Sequence, residues 1–184
     1  ARVVRVLGDE MTQADDIRRH AELAPWVAHA REASQSPGDP ATADLLGWVA
    51  RHDLERGSYA LASLGFKLQL EARKRLLGDE HPDTLTSMGN LASTLSNQGD
   101  LPGARWLEEA VLEARKRLLG DEHPATLTSM NNLASTLSNQ GDLPGARRLE
   151  EAVLEARKRV LGDEHPDTLT SMSNLASTLS DQGD

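Results

Sequence analysis

At 184 residues, with a net charge of −9 and 3% aromatic residues, the chain is long enough for one domain but short of the large side chains that fill a single deep core. Its acidic balance excludes the basic stripe of a nucleic-acid binder and disfavours docking on an anionic membrane. Zero cysteines exclude disulfides, iron–sulfur clusters and thiolate zinc sites, so a reducing, cytoplasmic setting is expected. No apolar run approaches the roughly 20 residues that a membrane helix needs. The chain begins at Ala1 rather than Met, as a piece of a longer protein would.

Taken in chain order, residues 1–10 carry no assignable pattern, and 11–35 read as helical. Thr12 and Asp15 supply a capping-type start, and Pro25 is placed to kink the helix or split it. Ile17, His20, Leu23, Val27 and Ala30 lie 42 residues before Tyr59, Ala62, Gly65, Gln69 and Ala72. Residues 1–39 are therefore expected to form an N-terminal helical cap or connector, with a turn at 34–40.

From there a 42-residue period governs the chain. Gly78, Gly120 and Gly162 each open the string Gly-Asp-Glu-His-Pro. Residues 83–124 and 125–166 differ only at Asp83/Ala125, Gly89/Asn131, Trp106/Arg148 and Leu118/Val160. The run at 70–77 recurs at 112–119, and Pro40, Thr42, Ala50 and Gly57 anticipate Pro82, Thr84, Ala92 and Gly99. Residues 40–184 thus divide into a degenerate repeat (about 41–82), two near-copies (83–124 and 125–166) and a half repeat (167–184).

Each unit predicts two helices. The first spans about 82–97: proline at the first helical position wastes no N–H, and it keeps the preceding His81 out of the helical region. Gly99 is available to end it at positive φ. The second spans about 101–119, with Leu101, Ala104, Leu107, Val111, Ala114 and Leu118 on one apolar side. Gly120 terminates it. One such hairpin cannot bury its apolar face alone, whereas stacked neighbours can, so the fold expected is an all-α solenoid of helix-turn-helix repeats.

Asn132-Leu133-Ala134, then Gly141-Asp142-Leu143 with Ala146, and the string from Leu161 to Pro166 resemble the 42-residue tetratricopeptide repeats of kinesin light chains. Similar arrays occur in bacterial STAND (NB-ARC-type) signalling proteins, and Arg18 to Pro25 resembles the helical connector that precedes them. The resemblance implies a right-handed superhelix whose first helices line a concave groove. It also implies a protein-binding scaffold, such as the sensor arm of a larger bacterial signalling protein. Two departures stand out: Glu108 sits where the family carries an apolar residue, and Leu95 replaces a common Tyr, so leaner packing is expected.

On a wheel at about 100° per residue, Leu85, Met88, Leu91, Ala92 and Leu95 form a buried stripe. Thr86, Asn90, Ser93 and Asn97 fall opposite, matched by Thr128, Asn132, Ser135 and Asn139, then by Thr170, Asn174, Ser177 and Asp181. By the resemblance this stripe lines the groove. Asn carries both a donor and an acceptor, so Asn90, Asn132 and Asn174 form a ladder able to pair with the backbone of an extended peptide; the alternative is that they are simply solvated. Specificity would come from what varies: Gly89, Asn131 and Ser173 at one flank position, and Asp44, Trp48, Arg51 and Glu55 in the degenerate repeat. Trp48 is either a partner anchor or packs against the N-terminal helix. Asp53 takes the slot of Leu95, with Leu54 expected to turn inward. Trp106, replaced by Arg148 one repeat later, is expected to face solvent.

The Asp-Glu-His triplets at Asp79, Asp121 and Asp163 read as turns carrying acidic residues at helix starts, their spacing being wrong for zinc or calcium. The basic triplets at 73–75, 115–117 and 157–159 read as a solvated, charge-balanced face. No phosphate-binding loop or nucleophile–base pair occurs, so no enzyme activity, metal or cofactor is expected. The partner expected is a protein or peptide, with no nucleic acid and no membrane. The other reading is structural: near-identical repeats whose ends stack heterologously into dimers or filaments, Met172, Leu175 and Leu179 lacking their usual cover.

Overall fold

A computed structural model describes residues 39–183. Among the described residues it contains seven α-helices and no strand: α1 (Pro40–Glu55), α2 (Tyr59–Leu77), α3 (Pro82–Asn97), α4 (Leu101–Leu119), α5 (Pro124–Asn139), α6 (Leu143–Leu161) and α7 (Pro166–Gln182). The helix expected over 11–35, with its cap residues Thr12 and Asp15, lies outside the described residues.

The punctuation of these helices follows from a few side chains. Every first helix opens on proline, with the residue before it in the extended region. In the near-copies that residue is a histidine acting as the N-cap. His81 Nδ1 accepts from Asp83 N at 3.2 Å, His123 Nδ1 from Ala125 N at 3.1 Å and His165 Nδ1 from Asp167 N at 3.1 Å. Each imidazole thus satisfies one of the orphan amides of the first turn. Second helices are capped differently, by Asp100 and Asp142, whose Oδ1 atoms accept from Gly103 N and Gly145 N at 3.0 Å. A Cβ at Gly103 would meet the Asp100 carboxylate at 2.4 Å, so the glycine follows from the cap.

Gly120 ends α4 at φ 90°, ψ 165°, a region open essentially to glycine alone. A Cβ there would meet nothing within 4 Å, so Gly120→Ala isolates backbone strain. We expect it to cost about 1–3 kcal/mol in urea unfolding with α4 otherwise intact; an unchanged midpoint would show that the turn relaxes freely.

Contacts divide the chain into two compact units, one through Gln98 and one from Gly99 onward. In the first, α1 packs on α2 and α2 on α3. Leu45, Leu46, Val49 and Ala50 are buried with Ala62, Phe66 and Leu70. Small residues bring α1 and α2 together: a Cβ at Gly65 would sit 2.8 Å from that of Ala50, and one at Gly47 would strike the Gln69 carboxamide. Gln69 Nε2 donates to Ala43 O at 3.1 Å. Asp53 remains buried, and Leu54 beside it is only partly so, contrary to the inward turn expected of Leu54. His52 Nδ1 lies 4.0 Å from the Asp53 carboxylate.

In the second unit, Leu127, Met130, Leu133, Ala134 and Leu137 of α5 pack with Leu112 of α4 and with Ala146, Val153 and Ala156 of α6. The buried stripe predicted for the first helices is the one observed. The second-helix stripe needs correction. Leu118, in the last turn of α4, is 47% exposed, and Leu112 is buried instead. On α7 the α5 core positions are more open: Leu169 is 50% exposed, and Met172, Leu175 and Leu179 are half-buried.

Candidate functional site

The polar stripe of the first helices follows from their amphipathicity: with one side committed to Leu, Met and Ala, the remaining side is free to carry Thr, Asn and Ser. In the second unit Thr128, Asn132, Ser135 and Asn139 are exposed on α5, and Thr170, Asn174, Ser177 and Asp181 on α7. In the first unit Thr86, Ser93 and Asn97 are exposed on α3, with Asn90 half-buried. On α1 Arg51 is exposed, while Trp48 is half-buried and stacked on His52, ring centroids 5.7 Å apart.

The members of this stripe are not equivalent in hydrogen-bonding capacity. Thr86, Thr128 and Thr170 each donate their hydroxyl to the proline carbonyl four residues earlier, at 2.9 Å. Their donors are spent inside the helix, which leaves an acceptor and a methyl group facing out. The exposed carboxamides of Asn97, Asn132, Asn139 and Asn174 therefore supply the stripe's donors together with the serines. At the flank, Ser173 donates to Leu169 O at 3.2 Å. Asn131 is half-buried, and its carboxamide faces only the donors of Arg157; its Oδ1 is therefore assigned to that side, where it accepts from Nη1 at 3.1 Å and Nη2 at 3.3 Å.

That contact belongs to a feature the sequence reading missed. The first arginine of each basic triplet is not part of a solvated face. Arg73 and Arg115 are half-buried and Arg157 is buried. Arg115 Nη1 donates to Ala125 O at 3.0 Å and Ser129 Oγ at 2.9 Å, and burial pushes its guanidinium pKa below the usual arginine value. The signal was present: on the same wheel Arg115 falls about 40° from Val111, inside the buried arc. Glu108 falls about 60° from Val111 and is likewise buried, as is Glu150. Trp106, by contrast, is 67% exposed, as its exchange for Arg148 predicts.

Among the described residues no group of three or more His, Asp or Glu side chains is placed to hold a metal ion, and no helix is long and apolar enough to cross a membrane. The three capping histidines stand one per helix start, each engaged with its own backbone.

A family model described as tetratricopeptide repeat matches residues 84–125 and again 126–167, and these spans carry the hairpins α3–α4 and α5–α6 with the polar stripe of α3 and α5. Residues 84–167 are built of two tetratricopeptide repeats. In three dimensions it is similar to a putative kinesin light chain of Podosopora anserina with nearly identical TPR-like repeats, at TM-score 0.79 and 25% identity over 98% of this chain and 87% of that one. A point variant of the same protein gives 0.80 and 25%, over 98% and 86%. BtubC (BKLC) from P. vanneervenii shares the fold at TM-score 0.73 and 22% identity, over 98% of this chain and 72% of that one. No curated protein matches the chain in sequence. The tetratricopeptide fold is an all-α helical-repeat solenoid, typically a non-catalytic scaffold, and such repeats generally mediate protein–protein interactions.

Proposed function

We propose that this tetratricopeptide array binds an extended segment of a partner protein along the polar side of its first helices, as the sensor arm of a larger signalling assembly. The observation that carries this reading is the exposure of Asn132 and Asn174 at the same position of successive first helices. Neighbouring helices lie about 8–10 Å apart and an extended chain rises about 3.3 Å per residue, so each repeat faces about three ligand residues. A carboxamide can donate to a ligand carbonyl and accept from a ligand amide, giving purchase on any sequence. Asn90, with Ser93 and Asn97, offers the same chemistry on α3, and Trp48 with Arg51 adds the variable element on α1.

Peptides selected from a random displayed library against the whole chain supply the test. Asn132→Ala with Asn174→Ala is expected to weaken the selected peptides by about tenfold to a hundredfold, at roughly 0.5–1.5 kcal/mol per hydrogen bond, with helicity unchanged by circular dichroism. Calorimetric affinities equal to those of the parent would sink the reading.

The open face of α7 favours a second reading. Leu169 is 50% exposed, whereas the matching Leu127 is covered within the second unit. A second helix from another copy would cover it, and heterologous stacking of this kind extends into filaments. Light scattering that stays at the mass of a single chain up to high concentration would rule this out.

A further inference from the structure

In each unit, one arginine ties three successive helices together. In the second unit Arg157, on α6, is 8% exposed. It donates through Nη1 to Asp167 O at 2.9 Å and to Ser171 Oγ at 2.8 Å, both on α7. Both of its terminal nitrogens also face the Asn131 carboxamide on α5, whose oxygen is assigned to that side because two guanidinium donors can be met only by an acceptor. In the first unit Arg73, on α2, makes the same pair of contacts to α3: Asp83 O and Ser87 Oγ, each at 2.9 Å. Its Nη2 reaches back to Asp44 on α1 at 2.7 Å. The acceptors on the following helix are alike, a carbonyl of the first turn and a serine one turn later. The acceptor on the preceding helix differs in chemistry and in register. Asp44 corresponds to Thr86 and Thr128, whereas Asn131 corresponds to Gly47 and Gly89.

We propose that this arginine is an inter-repeat clasp, and that Asn131 is the positioning residue that closes it between α5 and α7. A guanidinium presents its donors in a rigid planar fork, so fixing one edge against Asn131 orients the other toward Ser171 and Asp167. Without Asn131 the fork keeps its α7 acceptors but loses the constraint on its plane, and α7 is held by its apolar contacts, by the Arg147–Gln182 and Glu150–Thr178 bonds to α6 and by one loosely aimed guanidinium. The flank position then acts on the stiffness of the joint rather than as a ligand contact. This holds whether or not the polar stripe binds peptide.

Hydrogen exchange of the 184-residue chain reads the proposal directly. Asn131→Ala removes the acceptor at a helical position where the preceding repeat carries Gly89, so the fold tolerates the truncation. Exchange of the α7 amides is expected to quicken about threefold to tenfold, with α4 unaffected. Asn131→Asp restores an acceptor facing both nitrogens and is expected to return α7 to parental protection or better. In an Arg157→Lys background, where the fork is gone, Asn131→Ala is expected to add nothing. Parental α7 exchange in Asn131→Ala, an Asn131→Asp protein that behaves like the alanine variant, or an alanine effect that persists beside Lys at 157 would each overturn it.

Discussion

Replacing Glu108 and Glu150 with glutamine is expected to raise the unfolding midpoint at neutral pH and to remove the loss of stability that these two carboxylates cause as pH rises from acid. Both carboxylates are 6% exposed. Thr136 and Thr178 hydrogen-bond them, yet the Oε2 atom of each is buried with no hydrogen-bond partner. Desolvation is the largest influence on both and raises their pKa above the ordinary carboxylate value, the threonine bond only partly opposing it. The sign follows from proton counting. Between the unfolded value, about 4.3, and the raised folded value, the native state holds more protons than the unfolded chain. Stability therefore falls as pH rises through that window, and the full penalty is present above it. Glutamine keeps the threonine bond and carries no charge. A gain of about 1 kcal/mol per site is expected at pH 7, which corresponds to a midpoint shift of about 2–4 °C for each at this chain length. In acid, where the parent carboxylates are protonated, the gain disappears. Melting curves at several pH values check this; a double variant with the same pH slope as the parent would show that these two groups do not cause it.

Leu133→Ala is expected to cost about 3 kcal/mol, and Leu175→Ala about 1 kcal/mol or less. The two leucines occupy the same place in helices that differ only at Ala125/Asp167, Asn131/Ser173 and Asn139/Asp181. Local propensity is thus nearly the same for both, and the contrast isolates tertiary burial. Leu133 is 6% exposed within the cluster formed with α6 and Leu112. Leu175 is half-buried, with α6 but no following second helix against α7 among the described residues. Urea unfolding of the two single variants measures the difference. Equal costs would mean that Leu175 is covered in solution, as association between copies would cause.

The helices were legible because their punctuation is carried by residues with one conformational meaning. Proline in the first or second position and a positive-φ glycine within two residues of the end mark where α3, α4, α5 and α6 start and stop. The buried stripe of the first helices was legible for the same reason, as Leu85, Met88, Leu91 and Leu95 are apolar and one turn apart. Arg115 and Glu108 were not, although the same wheel sets them on the inner side. Their charge argues for solvent, and only a specific neighbour, Ser129 for one and Thr136 for the other, offsets it. The engagement of Asn131 was beyond reach for a different reason. Its partner Arg157 lies 26 residues away by subtraction of the two positions, and nothing local in α5 announces it. His81, His123 and His165 were read as turn residues, but their capping role depends on a ring nitrogen that pattern alone does not aim.

The two clasps also answer differently to ionic strength. Arg73 closes on Asp44, whose side chain is 50% exposed, so mobile ions reach the pair. At 1 M salt, with a screening length of about 3 Å, that joint loses most of its electrostatic share. Arg157 closes on a carboxamide, a hydroxyl and a carbonyl while almost wholly out of water. Counterions have little to screen there. Brine should therefore slacken the junction between α1 and α3 while leaving the one between α5 and α7 as it was.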